Sequence, residues 1–230
     1  VKKAVHTSVL VSLIGGIMVG LLGELIARPL LELINVPNDV MPLALLYLRI
    51  YLIGMPVILL YNFEAAIFRS VGDTKTPLIA LAASGVLNVI LNLFFVAVLK
   101  MTVNGVAIAT VISNAVSSFL LYRKLRKTTQ DIHLEPKQLR IDFDILKRIL
   151  RIGLPAGIQS AVFSISNIVI QSAINSLGTV VMAASSAAFN IEIITYDILN
   201  SFSQACTTFV GQNFGAGKLD RCKKTLALCL

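Results

Sequence analysis

Long apolar runs alternate with short polar clusters along this chain. Six runs stand out, approximately Val5–Ala27, Leu43–Phe68, Pro77–Leu99, Val103–Tyr122, Ile149–Leu177 and Val180–Phe209, and a seventh opens at Leu226. A helix needs roughly 20 apolar residues to cross a bilayer, so each of the six is long enough to span. The segment Arg28–Pro42, rich in Pro and Asn, reads as a loop, and Ser70–Pro77 reads as a turn that places Pro77 at the first position of the third helix. Pro56 lies inside the second run and predicts a kink there.

Composition sharpens this reading. Of 230 residues, 56% are hydrophobic and only 14% charged, against about 25% charged in an average soluble domain. That excludes a disordered chain and leaves too little polar surface for a soluble globule. Three cysteines, Cys206, Cys222 and Cys229, make no disulfide framework. A net charge of +8 could suit nucleic acid, but the positions of the charges argue otherwise. Lys2, Lys3, Arg69, Lys75, the bases between Arg123 and Arg151, and Lys218, Arg221, Lys223 and Lys224 fall on one side of the membrane. Only Arg28 and Lys100 fall on the other, with Arg49 near a face. Such a bias puts the basic loops, including 123–151, in the cytoplasm. The longest polar segment, Thr128–Lys147, reads as a hinge between two bundles. Its end, Gln138–Arg148, is either a helix lying in the cytoplasmic interface or a solvated linker merging into the fifth span. The chain opens at Val1 in mid-pattern, with neither an initiator Met nor a cleavable signal, so a fragment of something longer is expected.

A charge at the bilayer centre costs roughly 2.5–3.5 kcal/mol, which makes Glu64, Glu192 and Asp197 the candidates for ion or proton coupling. Glu24 and Arg49 lie near run ends, where snorkelling removes most of the cost, and read as structural. Glu64 has two readings: a cation or proton site facing a cavity, or a local ion pair with Arg69 that ties the span to the Asp73 turn. In the sixth run Asn190, Asp197 and Gln204 recur every seven residues and share a face with Asn200, while Glu192 lies on another. A carboxylate among amides and hydroxyls suits a cation or an exchangeable proton; plain interhelical hydrogen bonding is the alternative. Gln159, Asn167, Gln171 and Asn175 form a stripe on the fifth run that cannot face lipid and would line a cavity or lobe interior. Ser84, Asn88 and Asn92 form a similar stripe on the third, read as helix glue. Three small-xxx-small pairs, Gly16 with Gly20, Gly153 with Gly157 and Gly211 with Gly215, predict close helix approach. His6 and His133 have no metal-ligand company, and no G-x-x-x-x-G-K-[ST] loop exists for ATP. No nucleophilic constellation can be assembled, so neither an enzyme, a metal site nor a cofactor is expected.

Val1-Lys2-Lys3-Ala4-Val5 and Cys222-Lys223-Lys224-Thr225-Leu226 open similar apolar runs, as in transporters built from repeated halves. Gly211-Gln212-Asn213-Phe214-Gly215-Ala216-Gly217 resembles the G-Q-x-x-G-A-G loop of the multidrug and toxic compound extrusion (MATE) family. Arg69, Gly72, Asp73, Thr74, Lys75 and Pro77 match that family's R-x-x-G-D-T-K/R-x-P turn, and Gly153-Leu154-Pro155 is similar to its second-half opening. The resemblance implies an all-α membrane protein, a polytopic bundle forming part of a two-lobed, twelve-span transporter with pseudo-two-fold repeated halves. Residues 1–127 would be the last four spans of the N-lobe, 128–147 a cytoplasmic inter-lobe linker, and 148–230 the first two spans of the C-lobe plus the start of a third. It implies a plasma-membrane monomer that exports amphiphilic, often cationic drugs in exchange for Na⁺ or H⁺, without ATP or nucleic acid. In many of the family's drug exporters the ninth residue, counting from the fifth-span proline, is acidic; here it is Phe163, a departure that speaks against that subgroup's Na⁺ site. A lipid-linked oligosaccharide flippase of the related superfamily would be expected to line its cavity with Arg and Lys, of which the runs hold almost none. A non-transporting assembly subunit would predict no loss of drug resistance on deletion.

Overall fold

The computed structural model describes residues 1–33, 36 and 38–229, with backbone alone at 172, 175, 176, 179, 182 and 183. The side chain of Asn175, the last amide of the fifth-run stripe, thus lies outside the described residues. All regular structure among the described residues is helical. The order is α1 (Lys2–Leu33), α2 (Met41–Ile53), α3 (Met55–Ser70), α4 (Lys75–Leu93) with a π-helical turn at Phe94–Val98, then α5 (Val103–Lys127). A 3₁₀ turn at Pro136–Gln138 precedes α6 (Phe143–Ser176), α7 (Thr179–Gly215) and α8 (Leu219–Cys229).

Among the described residues, α1, α4 with its π turn, α5 and α6 are each long and apolar enough to cross a membrane, and α2 with α3 qualifies as one bent span. The sixth run forms α7, whose 37 residues exceed the length required.

Two compact units divide the chain, Val1–Leu146 and Lys147–Leu230. In the first, α1 packs on α2 and α3, α4 packs on α5, and α2 and α3 also pack on α5. The inward stripe of α1 runs Val5, Val9, Ser12, Gly16, Gly20, Ala27 and Leu31, steps of three, four or seven that keep one helical face turned inward. Its opposite face exposes Ile14, Ile17, Leu21, Leu22 and Leu25, which is the arrangement a lipid solvent requires. The inner face of α5 is built of small residues, Gly105, Ala107, Ala109, Ser113, Ser117 and Ser118, which let neighbouring backbones approach.

The kink expected from Pro56 is present. α2 and α3 meet at Gly54 with a bend of 48°, and Pro56 occupies the first turn of α3, where its missing N–H is not needed. α1 nestles into that bend: a Cβ on Gly16 would lie 2.3 Å from Pro56 Cα, and one on Gly20 would lie 2.9 Å from Leu52 O. The other two glycine pairs have open space, with nothing within 4 Å of Gly153, Gly157, Gly211 or Gly215.

Two boundaries differ from expectation. α1 continues through Arg28 and Pro29 to Leu33, so the first loop is shorter than the Pro-rich segment suggested. Arg28 and Glu32, one turn apart, pair at 2.9 Å across that extension. Pro77 is the third residue of α4 and not its first, because Asp73 caps the helix earlier. Within Gln138–Arg148 no separate interfacial helix forms: residues 139–142 link the 3₁₀ turn directly to α6, the course of a linker merging into the fifth span, while the stretch upstream of them is docked. Ile132 and Leu134 are fully buried against Val5, Val9, Phe68, Leu121 and Leu125, and the Leu134 amide donates to Leu125 O at 3.1 Å. Residues from Phe143 onward already belong to α6. In the second unit α7 packs on α8 across a turn in which Gly217 has φ +70°, a conformation that disfavours any side chain.

Candidate functional site

The Arg69–Pro77 motif folds as a helix stop followed at once by a helix start. Gly72 takes φ +86°, while its amide and that of Asp73 donate to Arg69 O and Phe68 O, closing α3. Asp73 then accepts from the Thr76 amide at 3.0 Å and from the Thr76 hydroxyl at 2.6 Å, satisfying groups the first turn of α4 cannot satisfy itself. Partial burial works to raise the Asp73 carboxyl, but the Thr76 hydroxyl and amide, the Lys124 charge and the Lys75 amide outweigh it and hold it below the ordinary 3.8. Arg69, Gly72, Asp73, Thr74, Lys75 and Pro77 thus form a tight corner between α3 and α4.

Just inside that corner lies a buried polar layer. Glu64 is fully buried on α3, and its Oε2 accepts from the Ser118 hydroxyl of α5 at 2.9 Å. Its Oε1 is buried with no hydrogen-bond partner among the described residues. On the α4 side, Ser117 hydrogen-bonds the Ser84 hydroxyl and approaches Ala80 O at 3.3 Å. Ser84, read as helix glue, therefore does join α4 to α5. The ion pair with Arg69 does not form among the described residues: five residues of helix turn the two side chains about 140° apart, so Glu64 points inward while Arg69 points away. What remains is a carboxylate with one oxygen held and one open, set among hydroxyls. Such a group can take a proton or a small cation on Oε1. Glu24 and Arg49, assigned separately to run ends, pair with each other between α1 and α2 at 3.2 Å.

The remaining candidates lie on α6 and α7. Gln159 and Gln171 are exposed and Asn167 is half-buried on α6; Asn190, Glu192, Asp197, Asn200 and Gln204 are exposed on α7. Neither Glu192 nor Asp197 is ion-paired among the described residues. Gly153 and Pro155 lie within the unbroken α6, which starts at Phe143. Gly211, Gln212 and Gly215 form the last turn of α7, where Gln212 O accepts the Ala216 amide, and Gly217 makes the turn into α8. Among the described residues no three His, Cys, Asp or Glu side chains converge on a metal position.

One cluster could not be read from the sequence. The buried His6 of α1 holds its Nδ1 at 2.7 Å from Lys2 O, and its Nε2 accepts from the Glu135 amide at 3.1 Å. Thr7 Oγ1 donates to Arg140 O at 3.3 Å and accepts from the Asp142 amide at 3.0 Å. Lys3 stands 3.5 Å from Asp142. The Asp142 carboxyl is held below 3.8, chiefly by the Ile145 amide and then, against partial desolvation, by Lys3 and the Asp144 amide. These partners are about 130 residues apart in sequence, and no local pattern announces them.

Comparison with known proteins gives a consistent picture. The MatE family profile matches residues 1–94 and 155–230. Probable multidrug resistance protein YpnP of Bacillus subtilis is 30% identical over 95% of this chain and 49% of its own length. Probable multidrug resistance protein YoeA of the same species is 28% identical over 98% of this chain and 50% of its own. The FAD transporter of Shewanella oneidensis is 25% identical over 100% of this chain and 52% of its own. A crystal structure of a MATE protein in the bent conformation superposes with a TM-score of 0.87 at 26% identity, covering 98% of this chain and 51% of that one. The chain spans about half the length of the curated relatives it matches.

Proposed function

The chain belongs to the MatE family, and from that premise we propose that it supplies about half of a two-lobed, ion-coupled antiporter that exports amphiphilic, cationic compounds by alternating access. Glu64 is the coupling residue of the first unit in this reading. The observation that carries it is the burial of a carboxylate whose Oε2 is held by Ser118 while its Oε1 has no partner among the described residues. Placing a charge there costs several kcal/mol unless it is compensated, so a proton or Na⁺ arriving at Oε1 changes the energy of the site. An ion moves a two-state equilibrium only by its differential affinity for the two states, and a tenfold gradient is worth about 1.4 kcal/mol. A site that binds its ion more tightly in one access state converts the gradient into net outward movement of substrate.

Glu192 and Asp197 on α7 are the second pair of coupling candidates. Asn190, Asn200 and Gln204 on the same helix, with Gln159, Asn167 and Gln171 on α6, supply hydrogen-bonding groups along the substrate path. The acids well inside the apolar runs, none of them ion-paired among the described residues, favour a cationic substrate over a polyanion. Residues 128–142 form a packed cytoplasmic strut on the first bundle in this account, with the plasma membrane as the working location. The test is dye efflux from cells producing the complete transporter, with Glu64→Gln, Glu192→Gln and Asp197→Asn made separately. Loss of efflux in Glu64→Gln at unchanged membrane abundance is the expected result; wild-type efflux in all three variants refutes the assignment.

A further inference from the structure

At the cytoplasmic end of α1 a cavity of about 480 Å³ is lined by Lys2, Lys3, His6, Lys137, Gln138, Arg140, Ile141 and Asp142. Its volume falls in the range of ordinary ligand pockets, roughly 300–1,000 Å³. Four cations surround it against one acid, and that acid is already engaged by Lys3 and by the Asp144 and Ile145 amides. Lys2, Lys137 and Arg140 make no ion pair among the described residues.

A basic excess on cytoplasmic loops orients any helical membrane protein, and dispersed charge would need no further explanation. Here the charge is concentrated. Two segments from opposite ends of the first unit are drawn to one concavity and fixed there by the His6–Glu135 and Thr7–Asp142 hydrogen bonds. The walls are therefore organised before any ligand arrives, which lowers the cost of binding. Depth matters too, because the apolar stripe of α1 begins at Val5, one turn from Lys2 and Lys3. The cavity thus sits at headgroup level, and Arg140 offers a planar fork suited to phosphate oxygens.

We propose that this cavity is a binding site for a phosphate-bearing anion, of the kind presented by an anionic phospholipid headgroup of the cytoplasmic leaflet. The assignment is independent of the coupling role given to Glu64. The test uses the purified chain in detergent, titrated with phosphatidylglycerol or phosphatidylcholine and read by native mass spectrometry, with inorganic phosphate as competitor. Each cationic side chain near an anionic surface contributes about fivefold. Lys137→Gln combined with Arg140→Gln should therefore weaken phosphatidylglycerol retention about thirtyfold. Lys137→Arg with Arg140→Lys keeps the charge and should retain the lipid. Arg123→Gln with Lys127→Gln removes equal charge within the first unit but outside the cavity and should leave retention within about twofold, since those residues line a different one. Retention of phosphatidylglycerol that millimolar phosphate does not displace identifies a lipid headgroup. Phosphate binding that is lost in the cavity variant, with no preference between lipids, identifies a soluble phosphate in the same site. Equal binding by wild type and the cavity variant, or equal weakening by the outside pair, overturns the proposal.

Discussion

Replacing Gly16 by alanine tests how α1 is seated. The new Cβ would stand 2.3 Å from Pro56 Cα, 2.8 Å from Pro56 N and 3.1 Å from Met55 O. Carbon atoms settle at about 3.5–4.0 Å, so the backbones must separate by about 1 Å or more. All three neighbours are backbone atoms at the α2–α3 bend, and none can rotate aside as a side chain would. Overpacking of this kind costs about 1–3 kcal/mol, and the severity of the contact puts Gly16→Ala at the upper end. Gly15→Ala adds the same methyl one residue earlier, where nothing lies within 4 Å. Both variants gain up to about 1 kcal/mol of helix propensity, so the difference between them isolates the clash at about 3 kcal/mol. For a chain of this length that is a gap of about 6–12 °C in melting temperature. Heating the purified chain in detergent and measuring the monodisperse fraction by size-exclusion chromatography gives the two midpoints. Midpoints within about 2 °C of each other would refute the seating of α1 in the bend.

Other consequences follow from the same packing. Leu134→Ala should cost about 2–5 kcal/mol and speed trypsin cleavage after Lys137 and Arg140; unchanged cleavage would mean the 128–142 segment is not anchored by its apolar side chains. The Asp73 carboxyl lies below 3.8 in the folded chain, so its stabilising contribution is complete above the unfolded value and fades as the pH falls through the folded one. Between about pH 5 and pH 3 the melting temperature of the wild type should therefore fall more than that of Asp73→Asn, and parallel falls would remove the cap from the account. Glu24 and Arg49 are partly exposed, so a double-mutant cycle with Glu24→Gln and Arg49→Gln should give a coupling of no more than about 1 kcal/mol. A coupling several times larger would mean that the pair is far better shielded than its geometry indicates.

Much of this molecule is legible in its sequence. Run lengths located the helices because lipid leaves the backbone only its own partners, and Pro56 marked the bend because a proline is accommodated in the first turn of a new helix and not in the middle of a continuous one. The Arg69–Pro77 corner was readable because Gly72 and Asp73 serve local geometry. The partner of Glu64 was not. Helical spacing gives the face a side chain occupies but not which neighbouring helix meets it, so Arg69, near in sequence, was a more visible partner than Ser118, 54 residues away. The Glu24–Arg49 pair was hidden for the same reason, each residue having its own local explanation. Gly16 and Gly153 begin equally good small-residue patterns, yet only the first meets a neighbour among the described residues. The docking of residues 128–142 is not legible in the sequence because Ile132 and Leu134 are two isolated apolar residues in a polar stretch, too few to set a period.

The central claim is that Glu64 carries the coupling ion, and gradient-driven transport in proteoliposomes tests it most directly. With the complete transporter reconstituted, an imposed H⁺ or Na⁺ gradient should drive uptake of a cationic dye together with a measurable counterflow of one of those ions. Glu64→Gln should abolish both fluxes, while Ser118→Ala should keep them with an altered ion affinity. Undiminished dye uptake and ion counterflow in Glu64→Gln would contradict the account.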